Sequence, residues 1–288
     1  MEQILSREIK AGTSSFRLTI DKEDLSALYP GFFRYTLAVK SGDVPVALFR
    51  TNTYEYAPGV PLRAEEVVHE KAERWEKELQ ADADGFLSAQ KSELKKPAQV
   101  PHADVVIVQA SPRADGNSSA LAQWAEEAAR DKGMTVEVLY PHDMEIHECI
   151  GCYQCFNSGA CIYEDDMSGI IDIVSRCRLL IICTQVYTNT VPGNLKLMID
   201  RFQAYFAAQS LEIVRPGKAK GIILSVSGRP GKENFVCIKK VLTPFMNIAG
   251  IRPSGEVFID GVDKVHDIRE IAGCKDRVVK LINECLRK

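Results

Sequence analysis

The sequence predicts an α/β protein: a doubly wound, five-stranded parallel sheet preceded by a small α+β module. Two observations carry this. Beyond residue 102, short apolar runs of strand length alternate with longer amphipathic segments, the pattern of strands joined by crossover helices. Before residue 98 the pattern is different, with a β-hairpin and a charged helix, and the polar stretch Ser92-Glu-Leu-Lys-Lys-Pro-Ala-Gln-Val-Pro101 separates the two with two helix-stopping prolines.

The module spans residues 1–97. Phe16 to Ile20 reads as a strand, and Arg34 to Val39 and Val44 to Arg50 form a hairpin around Ser41-Gly42-Asp43, where Gly and Asp tolerate positive φ. From Ala64 to about Gln90, apolar Val67, Val68, Ala72, Trp75 and Leu79 recur at helical spacing. Residues 98–102 form the linker, and 103–288 form the second domain. Its strands are placed at Val105 to Gln109, Val136 to Tyr140, Leu179 to Thr184, Gly221 to Ser227 and Glu256 to Ile259, with helices at 118–132, 167–177, 193–207, 234–249 and 264–287. In such a sheet a ligand sits beyond the carboxyl ends of the strands, where strand order reverses.

Composition narrows the function. Of 288 residues 45% are hydrophobic and 26% charged, and the formal net charge of −3 gives no electrostatic case for nucleic acid or an anionic membrane. The first residues, Met1-Glu-Gln-Ile-Leu-Ser-Arg-Glu8, lack a secretory pattern, and the longest apolar stretch, around Leu179 to Val186, is too short to span a bilayer. A reducing, cytoplasmic setting is expected, in which nine cysteines read as ligands, catalytic thiols or core residues before disulfides.

Three loops at the predicted sheet edge carry binding chemistry. Ser111-Pro-Arg-Ala-Asp-Gly-Asn-Ser-Ser119 leads from the first strand into a helix. Its backbone N–H groups, hydroxyls and Arg113 suit a phosphate, while an ordinary turn capped by Asn117 or Ser118 is the plainer reading. No Walker sequence and no Gly-x-Gly-x-x-Gly is present, which disfavours nucleoside triphosphates and the usual dinucleotide site. Thr184-Gln-Val-Tyr-Thr-Asn189 follows the third strand, where Tyr187 suits a planar ligand or is merely a half-buried aromatic. Ser227-Gly-Arg-Pro-Gly231 follows the fourth.

Four cysteines crowd the loop 149–161: Cys149, Cys152, Cys155 and Cys161. Three closely spaced thiolates and a fourth after five intervening residues suit a single inorganic centre. A zinc site usually splits its ligands between two distant knuckles, and an unmetallated loop of packing or reactive thiols is a further alternative. Cys177, Cys183, Cys237, Cys274 and Cys285 read as small hydrophobes. His142 and His147 precede the loop, either tuning a bound centre or simply solvated. Asp165 or Asp166 reads as the N-cap of the helix near Met167, and Asp200 and Arg201 as structural pairing groups.

Taken together, Ser111-Pro-Arg-Ala-Asp-Gly-Asn-Ser118, the spaced cysteines ending in Gly159-Ala-Cys161 before Asp165-Asp-Met167, and Val186-Tyr187 with Gly193-Asn-Leu-Lys196 and Ile199-Asp-Arg201 resemble the flavodoxin-like NAD(P)H-dependent FMN reductases, and within them the iron-sulfur flavoproteins. The resemblance covers roughly residues 103–287. It implies a flavodoxin-like sheet and an FMN whose phosphate lies on Ser111, Arg113, Asn117, Ser118 and Ser119. Gln185, Val186, Tyr187, Thr188 and Asn189 would follow the isoalloxazine edge, with Ser227 and Gly228 closing the site. Cys149, Cys152, Cys155 and Cys161 would hold a [4Fe–4S] cluster.

Departures occur at Gln185 and Thr188, where the family usually has Pro and an aromatic, and at Pro192, which replaces a small polar residue. The implied activity is an oxidoreductase passing electrons from ferredoxin or NAD(P)H to a small-molecule or protein acceptor, in a homodimer or homotetramer. A cluster-free FMN or quinone reductase, and a non-catalytic electron carrier or redox sensor, are the alternatives. The role of the first 97 residues stays open among docking module, lid and oligomer contact.

Overall fold

A computed structural model of the protein describes residues 1–12, 14–56, 63–92 and 102–287. The expected linker, 98–102, lies outside the described residues except for His102. The described residues fall into two compact units, one drawn from Met1–Pro97 together with Ile150–Ile162, the other from Ala98–Cys149 together with Tyr163–Lys288.

The first unit is a four-stranded antiparallel sheet in sequential order: β1 (Glu2–Ala11), β2 (Ser14–Asp24), β3 (Phe33–Ser41) and β4 (Val44–Asn52). The hairpin between β3 and β4 closes on Gly42 and Asp43, with Gly42 at φ 61°. Alternation sorts the strands into two faces. Phe16, Leu18, Ile20, Tyr35, Leu37 and Val39 bury one face against α1 (Arg63–Ala81), whose Ala64, Val68, Ala72, Trp75 and Leu79 form its buried stripe. The single helix expected to reach Gln90 is two, α1 and α2 (Ala83–Ser92), because the Asp82 carboxylate accepts the Gly85 N–H and starts a new helix.

On the other face Arg34 stands opposite Asn52, and Thr36 opposite Arg50. Arg34 donates to the Phe156 carbonyl (3.0 Å), Arg50 to the Asn157 carbonyl (2.9 Å) and Asn52 to the Tyr153 carbonyl (3.2 Å). The buried Phe156 ring lies edge-on to Phe32 and Tyr29. The first unit therefore includes most of the cysteine loop.

In the second unit β5 (Val105–Gln109), β6 (Val136–Leu139), β7 (Leu179–Gln185), β8 (Lys220–Val226) and β9 (Arg252–Ile259) form one parallel sheet in the order β6-β5-β7-β8-β9. The central strands are buried on both faces, which is why they read as continuous apolar runs. Val105, Ile107, Leu179, Ile181 and Ile222 pack with α3 (Asn117–Arg130) and, at the far end of the chain, Val278 and Ile282. Val106, Val108, Leu180, Ile182 and Ile223 pack with residues of α4 (Met167–Arg176), α5 (Gly193–Arg201), α6 (Gln203–Ser210) and α7 (Val236–Ile248).

Two expected helices are interrupted. The 193–207 segment breaks at Phe202, and 264–287 becomes a turn at Val262–Val265, a short 3-10 segment and α8 (Cys274–Leu286), with His266 and Gly273 at positive φ between them. Among the described residues no helix is long and apolar enough to cross a membrane.

Candidate functional site

The chain leaves β5 toward one side of the sheet and returns to β7 on the other, so the loops after these strands diverge and leave a crevice. A cavity of about 670 Å³ lies there, lined by residues that follow β5, β7, β8 and β9.

The loop after β5 is closed by its own polar groups. Gln109, buried at the strand end, accepts the Ser111 N–H (2.8 Å) and donates to the Ser119 hydroxyl, which donates in turn to the Arg113 carbonyl (2.6 Å). The Asn117 amide bridges outward, donating to the His266 carbonyl (3.1 Å) and accepting the Ile268 N–H (3.0 Å). These bonds fix the loop and leave the first turn of α3 without a side-chain cap. The helix N-terminus, its unpaired N–H groups and the exposed Arg113 together form a positive end on the cavity.

After β7 the backbone makes a tight turn in which Tyr187 and Thr190 exchange both N–H···O bonds (2.9 and 2.8 Å). Thr188 and Asn189 occupy its central positions at φ 44° and 63°. Positive φ is routine for Asn but strained for a β-branched Thr, and such strain concentrates at ligand sites. The Ser118 hydroxyl donates to Gln185 Oε1 (3.3 Å), which orients the amide, while Gln185 Nε2 is buried with no partner among the described residues. An orphaned donor in a cavity wall is costly unless a ligand accepts from it. After β8, Ser227 donates to the Arg229 carbonyl (3.1 Å), and Gly228 lies so close to Asp263 that a Cβ there would meet its carboxylate.

The structure thus brings Ser111, Arg113, Asn117, Ser118, Gln185, Val186, Tyr187, Thr188, Asn189, Ser227 and Gly228 to one cavity. Ser119 is not in its lining, because its hydroxyl is spent inside the loop. Sequence reasoning missed Arg229, Asn234, Asp263 and His266, which also line it. The rule that ligands gather at strand carboxyl ends points to Asp263 and His266, just after β9, but an apparent helix over 264–287 hides that loop.

The cysteine loop is shaped by Gly151, Tyr153 and Gly159, all at positive φ, and by the helical turn Cys155–Ser158, closed by the Gly159 N–H on the Cys155 carbonyl (2.7 Å). None of the nine cysteines is in a disulfide; Cys149 is exposed, and Cys152, Cys155 and Cys161 are half-buried. Four thiols are the right donor chemistry for an iron-sulfur centre, yet among the described residues no three His, Cys, Asp or Glu side chains are gathered as a metal-holding group. His147 stacks on Tyr163 (4.7 Å).

Asp165 accepts the Met167 N–H (3.2 Å) and the His147 N–H (3.0 Å) and forms a bidentate pair with Arg201 (2.5 and 2.9 Å), which also donates to the His147 carbonyl (2.8 Å). Burial works against the Asp165 carboxylate, but Arg201 and the two backbone donors outweigh it and hold its pKa below the usual range. Asp200 pairs instead with Lys196 (2.7 Å).

The family model for NADPH-dependent FMN reductases matches residues 103–251. An iron-sulfur flavoprotein of Methanocaldococcus jannaschii is 32% identical over 97 residues, 34% of this chain and 50% of that protein. One of Archaeoglobus fulgidus is 30% identical over 118 residues, 41% of this chain and 52% of the relative. The chain thus spans about half the length of these curated relatives. The solved NAD(P)H:quinone oxidoreductase of Methanothermobacter marburgensis superposes with a TM-score of 0.50 at 16% identity, covering 64% of this chain and 94% of that one, a likeness of fold.

Proposed function

The chain belongs to the NADPH-dependent FMN reductase family, and we propose that it is an FMN-dependent oxidoreductase that binds its flavin in the cavity at the carboxyl edge of the parallel sheet. The observation that carries this is the cavity itself: an uncapped helix N-terminus with Arg113 at one part of the wall, and an orphaned Gln185 donor at another. A phosphate suits the first and a heteroaromatic acceptor the second. When bound, FMN supplies the redox chemistry, taking up a hydride or two electrons and releasing them singly.

The protein's own part is to bind, orient and exclude water. Ser111, Arg113, Asn117 and Ser118 hold the phosphate; Ser119 supports them by fixing the Arg113 carbonyl. Val186, Tyr187, Thr188 and Asn189 present backbone and ring along the flavin edge, with Gln185 Nε2 as a fixed donor. Ser227 and Gly228 close the far wall, where the absence of a Cβ leaves room for Asp263. The family's nicotinamide dependence favours NAD(P)H over ferredoxin as electron donor, and the acceptor is a small molecule or a protein.

A [4Fe–4S] cluster on Cys149, Cys152, Cys155 and Cys161 is the finer reading, supported by the thiol spacing and by the names of the relatives. Residues 103–288, apart from the Ile150–Ile162 stretch that belongs to the first unit, then form the catalytic domain of a cytoplasmic homodimer or homotetramer. Anaerobically purified protein tests both levels. A flavin spectrum with about four iron and four sulfide per chain supports the whole reading, and Cys155→Ser should lose iron while keeping FMN. Flavin without iron leaves a cluster-free NAD(P)H-dependent reductase, and absence of bound flavin refutes the proposal.

A further inference from the structure

The flavin reading has no use for the opening ninety residues, yet those residues hold the segment that carries Cys152, Cys155 and Cys161. That segment has little to order it locally: Cys155–Ser158 is a single helical turn, far below the length at which an isolated helix is stable. Local bonds account for the first few carbonyls, since the Phe156, Asn157 and Gly159 N–H groups return to the carbonyls of Tyr153, Gln154 and Cys155. The Phe156 and Asn157 carbonyls are met instead by Arg34 and Arg50, cations placed where a helix C-terminus favours them. Asn52 reaches both the Tyr153 carbonyl and the Asn157 amide oxygen (3.0 Å), and the Asn157 amide donates to Glu55. Arg34, Arg50 and Asn52 share one sheet face by strand register.

We propose that the N-terminal sheet is a cradle for the cysteine segment, with Arg34, Arg50 and Asn52 as positioning residues that grip its main chain. These grips use no sulfur, so they fix the backbone and leave thiol chemistry to whatever the cysteines engage. Arg34 is itself held by Glu23 (Nε, 3.1 Å), which sets its fork before the segment docks. The assignment does not depend on FMN or on the identity of a bound centre.

Amide hydrogen exchange on the full-length chain tests it. Asn157→Ala removes the side-chain bonds to Asn52 and Glu55 from the segment side, with every N-terminal residue in place, and Arg50→Gln removes a charged donor to the main chain from the sheet side. Each should speed exchange over residues 153–160 by about tenfold to a hundredfold, the cost of one or two buried bonds, while β2 and β3 stay protected and FMN content is unchanged. Arg50→Lys should recover part of the protection, since it keeps the charge but not the fork. The cradle is overturned if the double variant Asn157→Ala/Arg50→Gln exchanges over 153–160 at the wild-type rate. Should β2 and β3 open in Arg50→Gln, Asn157→Ala decides the Asn52 contact and Arg50→Lys the Arg50 grip, by the same criterion.

Discussion

Replacing Arg201 by Met tests how the segment leading into the cysteine loop is anchored. Arg201 and Asp165 are both buried, with side-chain exposures of 2% and 0%, and their pairing is bidentate. Arg201→Met keeps much of the aliphatic stem and removes the charge, leaving a buried carboxylate without its cation. Breaking such a pair costs about 3–5 kcal/mol. Two backbone donors, from His147 and Met167, still serve Asp165, which places the expected loss near the lower end, about 3 kcal/mol. At roughly 2–4 °C per kcal/mol, the unfolding midpoint read by circular dichroism should fall by roughly 6–12 °C.

The pH dependence supplies the second check. The folded pKa of Asp165 is depressed, so the pair contributes stability that is present above the ordinary carboxylate pKa and is lost as pH falls through the folded value. In Arg201→Met the same carboxyl is left to burial and is protonated more readily. The stability difference between wild type and variant should therefore shrink between about pH 7 and about pH 4. A loss below about 1 kcal/mol, the range of exposed pairs, or a difference that does not shrink on acidification, would refute the reasoning.

Three further outcomes follow from the cavity and the thiols. Arg113→Ala should weaken FMN binding by about tenfold or more while leaving riboflavin affinity unchanged, because the lost contact is with phosphate; flavin fluorescence titration measures both, and an equal loss for the two ligands counts against the assigned orientation. Thr188→Asn with Asn189→Gly places the residues a type I′ turn prefers and should raise stability by about 1 kcal/mol; a lower melting point would mean that Thr188 is not strained. Alkylation of native, metal-free protein, mapped by mass spectrometry, should modify Cys149, Cys152, Cys155, Cys161 and Cys237 and spare Cys177, Cys183, Cys274 and Cys285, with early labelling of Cys183 contradicting its burial.

What could be read from the sequence follows from burial. β5, β7 and β8 lie between two layers of helices, so almost every residue is apolar and the runs stand out. β1 escaped notice because it is an edge strand with only Ile9 buried, and an exposed strand has no alternation to detect. The three binding loops were visible because strand carboxyl ends are a fixed place to look. The fourth contributor, the loop with Asp263 and His266, was hidden because His266 at φ 63° interrupts an otherwise helical-looking stretch. Nothing local marks Arg34 as a partner of Phe156: that bond joins residues 122 positions apart, and an arginine on an alternating strand reads as solvent-facing.

Burial also sorts nine chemically identical thiols into two populations. Cys177 and Cys183 sit in the sheet's core, where loss of hydration penalises the thiolate; burial pushes Cys177 up to about 12 and Cys183 also strongly upward. Burial raises Cys274 and Cys285 as well. At neutral pH these four stay protonated, and a protonated thiol is neither nucleophile nor ligand. The loop cysteines are less enclosed, Cys149 exposed and Cys152, Cys155 and Cys161 half-buried, and lie within thirteen residues of sequence. A backbone gripped through carbonyls orders the segment without using its sulfurs, which a self-ordered helix of one turn could not do. The ordering of the segment thus falls on Arg34, Arg50 and Asn52.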